Sequence, residues 1–441
     1  MTTESPRVDE KSSRNPRLRR IAEPNTTSSS YLTFRDPWLI RIGIIGKTNT
    51  GKTTFFNAAT SSTAEVSTYP FTTKKPNTAL GQVQTLCVCR ELGLKDRPRN
   101  SKCVGGWRFI PVEVLDLPGL IKGAWKGKGL GTQFLNVVAQ ADALLHVVDA
   151  SGSIDLDGKI AHAGMGNPIL DVYDIEEELV LWFKVSVDRS LQRLRKRPLK
   201  TGAYDKAFAK ELAGIGVRLE HVTRALEAAN LSAKHPKDWK DEDSRKFSEN
   251  IRVVSKPTLI IANKMDLAYS EKNFEKLCEE FNSQLVIPAS SEAELALKRA
   301  QEKGLIEYVP GEETFKVLDE SRISKDQAWA LAYVQQKVMT KLMRTGVEFA
   351  LNSAVFKLLG MNAVYPVEDP KAFSDKKGNV LPDTFLVPRE YTPKDLAKEI
   401  HSELAEKMLY AIDTRDGLRL PSDYLLRDRD VISIVTTIRK K

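Results

Sequence analysis

The sequence predicts an α/β fold: a doubly wound, mostly parallel sheet with an inserted helical hairpin, followed by a small α+β module. Three observations lead there. The apolar run Trp38-Leu39-Ile40-Arg41-Ile42-Gly43-Ile44-Ile45 leads into the glycine-bearing loop Gly46-Lys47-Thr48-Asn49-Thr50-Gly51-Lys52-Thr53, and a helical pattern continues from Thr54. Strand, loop and helix in that order are what a phosphate-binding loop requires. Further apolar runs at 80–89, 112–116, 144–149, 258–262 and 285–287 lie between helical or loop segments, the pattern of a sheet covered on both faces. From 361 onward, strands at 363–367, 384–388, 409–412 and 430–435 surround one helix, which suggests a separate small module.

Residues 1–36 are rich in Ser, Thr, Pro and Arg and read as a disordered basic arm. The nucleotide domain is then expected over 37–323. Its insertion, at about 168–250, carries two apolar stripes. Ile175, Leu179, Trp182, Phe183, Val187 and Leu191 form the first, with Asp174 and Glu177 as its N-terminal cap. Phe208, Leu212, Ile215, Leu219, Val222 and Leu226 form the second at heptad spacing. Pro198 to Gly202 supplies the turn between them. Gly214 and Gly216 weaken the second helix by about 1 kcal/mol each relative to alanine. Ser324 with Gln327 has capping-box spacing and opens a connecting helical segment over 324–360. In the module at 361–441, Thr392 caps a helix that has Pro393 at its first position and Leu396, Ile400 and Leu404 on one face.

With 441 residues, 41% hydrophobic and 28% charged, the chain has the balance of a soluble protein of more than one domain. No apolar run reaches bilayer-spanning length and the polar start is unlike a secretory signal, so a cytoplasmic monomer with no membrane partner is expected. The net charge of +9 fits RNA as a partner and equally fits scattered surface lysine. Four cysteines are too few for a secreted disulfide scaffold. Cys87, Cys89 and Cys103 are close enough to raise zinc, but no nearby Cys or His supplies a fourth ligand. Buried or hairpin thiols are expected.

Five motifs then occur in the order that GTP handling needs. In the first loop, Gly46, Lys47, Thr48, Asn49, Thr50 and Gly51 turn backbone N–H groups toward phosphate, with Thr54 continuing the helix behind them. Lys52 should reach the β- and γ-phosphates, and Thr53 should bind Mg²⁺. Asp116-Leu117-Pro118-Gly119 follows a strand; its carboxylate can hold the Mg²⁺ shell and the Gly119 N–H can sense the γ-phosphate. Asn263-Lys264-Met265-Asp266 also follows a strand, and the Asp266 carboxylate can accept two N–H groups from guanine that adenine does not offer. Ser290 and Ser291 follow the last strand and can present backbone N–H to the guanine O6. Thr72 and Thr73 both lie where a switch threonine would complete Mg²⁺ coordination, and local phasing selects Thr73. Lys52, Thr73 and Gly119 are thus the candidate catalytic set. Leu120 stands where a water-orienting glutamine would be needed, which predicts slow intrinsic hydrolysis.

These residues resemble the Obg family of P-loop GTPases, in particular its YchF-type (Obg-like ATPase) branch in an archaeal form. The resemblance rests on residues 46–53, Tyr69-Pro70-Phe71-Thr72-Thr73, 116–120, 263–266 and Pro288-Ala289-Ser290-Ser291-Glu292-Ala293-Glu294. It extends over the C-terminal module, which resembles a TGS domain of β-grasp fold. The resemblance implies a hydrophobic residue in place of the catalytic glutamine, matched by Leu120, and potassium activation through a P-loop asparagine, matched by Asn49. It also implies action at the ribosome and RNA or regulatory binding by the TGS module. YchF-type ATPases owe their loss of guanine preference to an altered fourth motif, which is intact here. Some relatives carry a histidine where Trp125 stands, so an acid–base role for that position does not carry over.

The reading is a Mg²⁺-dependent GTPase switch taking GTP to GDP, with K⁺ as a candidate second cation and the ribosome or other RNA as partner. Two alternatives stand beside it: an RNA-binding scaffold with a nearly inactive nucleotide pocket, and an ATPase of the YchF type.

Overall fold

The loop after the first strand leaves the C-terminal end of an interior strand of a seven-stranded sheet. A computed structural model describes residues 39–60, 77–117, 119, 123, 137–155, 158–197 and 203–437. The basic arm, the 198–202 turn and the expectations for Thr72, Thr73, Leu120 and Trp125 lie outside the described residues. The strands are β1 (Arg41–Ile45), β2 (Asn77–Leu86), β3 (Lys102–Val104), β4 (Trp107–Asp116), β5 (Ala143–Asp149), β6 (Thr258–Asn263) and β7 (Val286–Pro288). Their order is β2-β4-β1-β5-β6-β7, with β3 also paired to β4. Strands β4, β1, β5, β6 and β7 are parallel. The run read as a buried strand over 80–89 instead forms β2, antiparallel to β4, and its alternating exposure is that of a sheet edge with one face toward solvent.

Alternate side chains of β5 enter different layers. Leu144 packs with the helices of the insertion, whereas Leu145 and Val147 pack with α1 (Lys52–Thr60) through Phe55 and Phe56. A strand buried on both faces is largely apolar, and every residue of β5 is buried, His146 and Asp149 included. After β2 the chain turns into a short helix, α2 (Val88–Leu92), so Cys87 to Cys89 are not strand residues as expected.

The insertion is more broken than the heptad spacing predicts. Its first helix, α3 (Pro168–Leu194), begins before Asp174 and is capped by Asn167, whose side chain accepts from Ile169 N and Leu170 N. The second stripe is divided between α4 (Tyr204–Leu212) and α5 (Leu219–Ala228), with a turn at Ala213–Ile215 closed by Gly216 at φ 76°. Leu219 is consequently exposed rather than in the seam. A further helix, α6 (Asp241–Ser255), completes the layer, and Phe208 stacks on Trp239 and meets Phe247. Among the described residues the layer is thus four α-helices, not a two-helix hairpin.

Two helices then flank the last strands of the sheet, α7 (Ser270–Glu280) and α8 (Ser291–Glu302), and a small hairpin of β8 (Ile306–Glu307) and β9 (Lys316–Val317) follows. Helix α9 (Lys325–Val334) opens on the expected Ser324–Gln327 capping box and runs on to Leu342. The connecting helical segment expected over 324–360 is interrupted, because Met343 at φ 65° and Gly346 at φ 88° turn the chain before α10 (Val347–Asn352). A Cβ at Gly346 would lie 2.1 Å from the Pro288 carbonyl oxygen, so glycine lets this turn press on the end of β7.

The C-terminal sheet has β10 (Met361–Val367), β11 (Phe385–Pro388), β12 (Met408–Asp413) and β13 (Val431–Thr436) in the order β11-β10-β13-β12. Helix α11 (Pro393–Ile400) carries the predicted Thr392 cap and packs Leu396 against Val364, Val387 and Ile432. It ends at His401, so Leu404 belongs to the next short helix, α12 (Ser402–Lys407).

Candidate nucleotide-binding site

The loop between β1 and α1 owes its shape to two glycines. Gly46 has φ 145°, and a Cβ there would lie 2.3 Å from Val147 O; Gly51 has φ 95°, and a Cβ there would lie 2.3 Å from Asn263 Nδ2. Asn49 is also left-handed at φ 64°, and its Nδ2 donates to Gly158 O at 3.0 Å. Thr50 closes the loop by donating to Lys47 O at 3.1 Å. Thr48 lies against Gly119, where a Cβ would come within 2.7 Å of the Thr48 hydroxyl. The loop is thus tightly held, with Lys47, Thr48, Thr50 and Lys52 all buried.

Lys52 is buried, and its ammonium donates to Lys47 O. Burial lowers its pKa to about 8, against the pull of Asp116. Thr54 is buried one turn behind the loop. Thr53 Oγ1 donates to Asp116 Oδ2 at 2.9 Å, so the first residues of α1 and the end of β4 meet as the sequence requires. Asp116 is fully buried; Asn77 Nδ2 donates to the same Oδ2 at 3.4 Å, and among the described residues Oδ1 has no hydrogen-bond partner. Burial raises the Asp116 carboxyl above its ordinary range against Lys52, Thr53 and Asn77. A buried carboxylate oxygen without a partner is costly, and a hard divalent cation is the partner that suits it. The residues fit Mg²⁺.

The Asn263 side chain joins the two ends of the site. Its Nδ2 donates to Thr50 O at 2.9 Å, and its Oδ1 accepts from Ser291 N at 3.1 Å and Ser291 Oγ at 2.8 Å. Lys264, at φ 63°, reaches Asp149 Oδ2 at 2.9 Å. Asp266 accepts from Ser290 Oγ at 2.8 Å, which fixes its carboxylate at the mouth formed by the loops after β6 and β7. Ser290 Oγ also accepts from Ala293 N at 3.4 Å as the cap of α8.

Several supporting residues were not read from the sequence. Asp149 accepts from the amides and hydroxyls of Ser151 and Ser153 and so holds Lys264 in place. Lys47 pairs with Asp171 at 2.7 Å and Asp174 at 3.1 Å, tying the phosphate loop to α3; burial opposes its charge, but the two carboxylates outweigh it and raise its pKa. Tyr333 on α9 donates to Asp266 O at 3.1 Å, and Ser290 N donates to Thr345 O at 2.9 Å. Only a polar residue closing a strand, as Asp149 does, carries a local hint; the others depend on tertiary contact.

The parallel sheet, the glycine-shaped loop and the convergence of Thr53, Asp116, Asn263 and Asp266 define a P-loop nucleotide-binding protein of the GTPase fold. Family models agree in three stretches: 50S ribosome-binding GTPase over residues 41–173, Obg-like GTPase YGR210-like, G4 motif-containing domain over 261–369, and TGS domain over 371–436. An uncharacterized GTP-binding protein of Methanocaldococcus jannaschii is 42% identical over 90% of this chain and 99% of its own length. The crystal structure of a GTP binding protein from Pyrococcus horikoshii has a TM-score of 0.72 and 33% identity, covering 90% of this chain and all of that one. The ribosome-binding ATPase YchF of Haemophilus ducreyi is 33% identical over 60% of this chain and 69% of its own length. The chain belongs to the Obg-like, YchF-type family of GTP-binding proteins and carries a C-terminal TGS domain.

Proposed function

We propose that this protein hydrolyses GTP to GDP and phosphate with Mg²⁺, slowly on its own, and that the bound nucleotide governs its association with the ribosome. The observation that carries the choice of guanine is the intact Asn263-Lys264-Met265-Asp266 motif, with Asp266 held by Ser290 and Asn263 bonded to both the phosphate loop and Ser291. A fixed carboxylate accepts N1–H and N2–H of guanine, whereas adenine leaves it unpaired.

Thr53 and Asp116 would hold Mg²⁺, with Thr73 as the switch ligand. When bound, the ion offsets negative charge on the phosphates during transfer. Lys52 exchanges its loop carbonyl for phosphate oxygens, Gly119 N–H faces the γ-phosphate, and the loop amides of residues 46–53 cradle the chain of phosphates. Asn49 is the candidate K⁺ ligand. Leu120 offers no hydrogen bond to an attacking water, so a cation, another residue of the chain's own loops or a partner must accelerate the reaction.

Ribosomal action is supported by relatives that are called ribosome-binding ATPases and by the net charge of +9. Those same names favour a second reading, hydrolysis of ATP. Competition of GTP and ATP for the purified chain separates the two, and equal or stronger ATP binding sinks the guanine reading. Nucleotide-dependent co-sedimentation with ribosomal particles tests the partner; sedimentation identical with GTP, GDP and no nucleotide removes the switch. Single-turnover hydrolysis with and without K⁺ and ribosomes distinguishes the switch from a scaffold, which neither would accelerate.

A further inference from the structure

Far from the nucleotide loops, the end of β2, helix α2, the following loop and β3 bring three thiols and a carboxylate together. The ligand atoms of Cys87, Cys89, Asp96 and Cys103 all lie within 4.8 Å of one another. Cys89 Sγ and Cys103 Sγ are 3.7 Å apart, and Cys87 Sγ is 3.3 Å from Asp96 Oδ2. A tetrahedron with zinc–sulfur bonds of about 2.3 Å and a zinc–oxygen bond of about 2.0 Å has sulfur–sulfur edges of about 3.8 Å and sulfur–oxygen edges of about 3.5 Å. The two separations match those edges. We propose that Cys87, Cys89, Asp96 and Cys103 bind one structural Zn²⁺.

The sequence alone supplied three of these ligands and sought the fourth among Cys and His; folding supplies an aspartate instead. Its surroundings suit a charged centre. Arg108 has a fully buried side chain that pairs with Asp96 at 3.2 Å, donates to Leu381 O at 3.0 Å and lies 5.2 Å from the Tyr365 ring centroid. Three thiolates and a carboxylate around Zn²⁺ carry a net charge of −2, which a buried guanidinium partly balances. A partner on the ligating carboxylate is also the usual means of orienting it. The ligand atoms are too close together to surround a cubane iron–sulfur cluster, so the site takes a single ion.

The location gives the ion a structural task. Cys87, Val88 and Cys89 share a small core with Tyr365, Val367, Leu381 and Val431 of the C-terminal module. The same excursion places Arg97 N on Val380 O, Arg99 N on Pro382 O and Asn100 Nδ2 on Thr384 O. The segment has little secondary structure of its own between α2 and β3, and cross-linking it through a metal lowers the conformational entropy lost in presenting those contacts. The zinc therefore clamps the surface by which the nucleotide domain holds the TGS domain.

Elemental analysis of the full chain, purified under reducing conditions with zinc in the medium, should find about one zinc per chain. Cys103→Ser and Asp96→Ala, at the two less buried ligands, should lose most of it, and Cys278→Ser should keep it. Because a ligand variant can misfold, the wild-type chain stripped by a chelator and titrated with Co²⁺ gives an independent reading: thiolate-to-cobalt charge transfer and tetrahedral d–d bands are expected, displaced by Zn²⁺. A wild-type chain that contains no zinc and gives no such bands overturns the proposal. So does zinc content unchanged in both folded ligand variants, or a Cys89–Cys103 disulfide found by mass spectrometry in the reduced preparation.

Discussion

At the scale of single residues, the proposed phosphate end of the site rests on Lys52, buried with its ammonium on a loop carbonyl. Lys52→Ala should abolish tight triphosphate binding, and calorimetry showing unchanged affinity would remove this loop from the account. Asp266→Ala should weaken GTP binding roughly 100-fold, the scale of hydrogen bonds to a charged acceptor, while changing ATP binding little. Glu348 offers a test of stability instead. Burial raises its pKa from 4.5 to about 8, with Lys298 opposing and Glu294 reinforcing the shift. Between those values the folded chain keeps a proton that the unfolded chain releases, so stability from this group is complete below about 4.5 and is lost as pH rises toward 8, by at most about 1.4 kcal/mol per pH unit. Urea unfolding across this range should show a flatter pH dependence for Glu348→Gln than for the wild type. Residues adjacent in sequence, such as those of the phosphate loop, were legible because their chemistry lies in one contiguous pattern. Asp149, Asp171 and Tyr333 were not, since the site residues they hold, Lys264, Lys47 and Asp266, are 67 residues or more away along the chain.

At the scale of elements, periodicity located the helices better than it located their ends. The apolar spacing from Phe208 to Leu226 continues through a turn because a 3₁₀ segment and a left-handed glycine restore the phase approximately, yet Leu219 leaves the seam. The glycines were read as a cost within one helix, whereas Gly216 is what ends it. A Cβ there would lie 2.4 Å from Ala139 O at a φ of 76°. Gly216→Ala should therefore destabilise the fold by about 2 kcal/mol or more, read as a lower urea midpoint at constant slope. An unchanged midpoint would mean that the turn has an easy alternative. Strand β2 was read as buried because its apolar residues are dense; its antiparallel pairing is set by β4 and could not be seen locally.

At the scale of the whole molecule, composition and motif order were enough to anticipate a nucleotide domain and a terminal module, but not how firmly they are joined. Arg108 reaches Leu381 O, Arg99 pairs with Asp383, and Ala363 and Leu386 enter the same core as α1 and β5. Truncation before residue 361 should therefore lower the melting midpoint of the remaining chain by several degrees, because it strips cover from Arg108 and from that core. An unchanged midpoint would show that the contacts add nothing.

The segment between the two sheets also touches both loops proposed to read the base, through Tyr333 on the Asp266 carbonyl and through Thr345 on the Ser290 amide. On that proposal, how long a purine stays is partly a property of the neck of the molecule. Loosening that neck by Tyr333→Phe should speed release of a fluorescent guanine nucleotide a few-fold in stopped flow, the effect of one hydrogen bond worth about 1 kcal/mol. Whatever pulls on the neck from outside would shorten the stay in the same way, and whatever splints it would lengthen it.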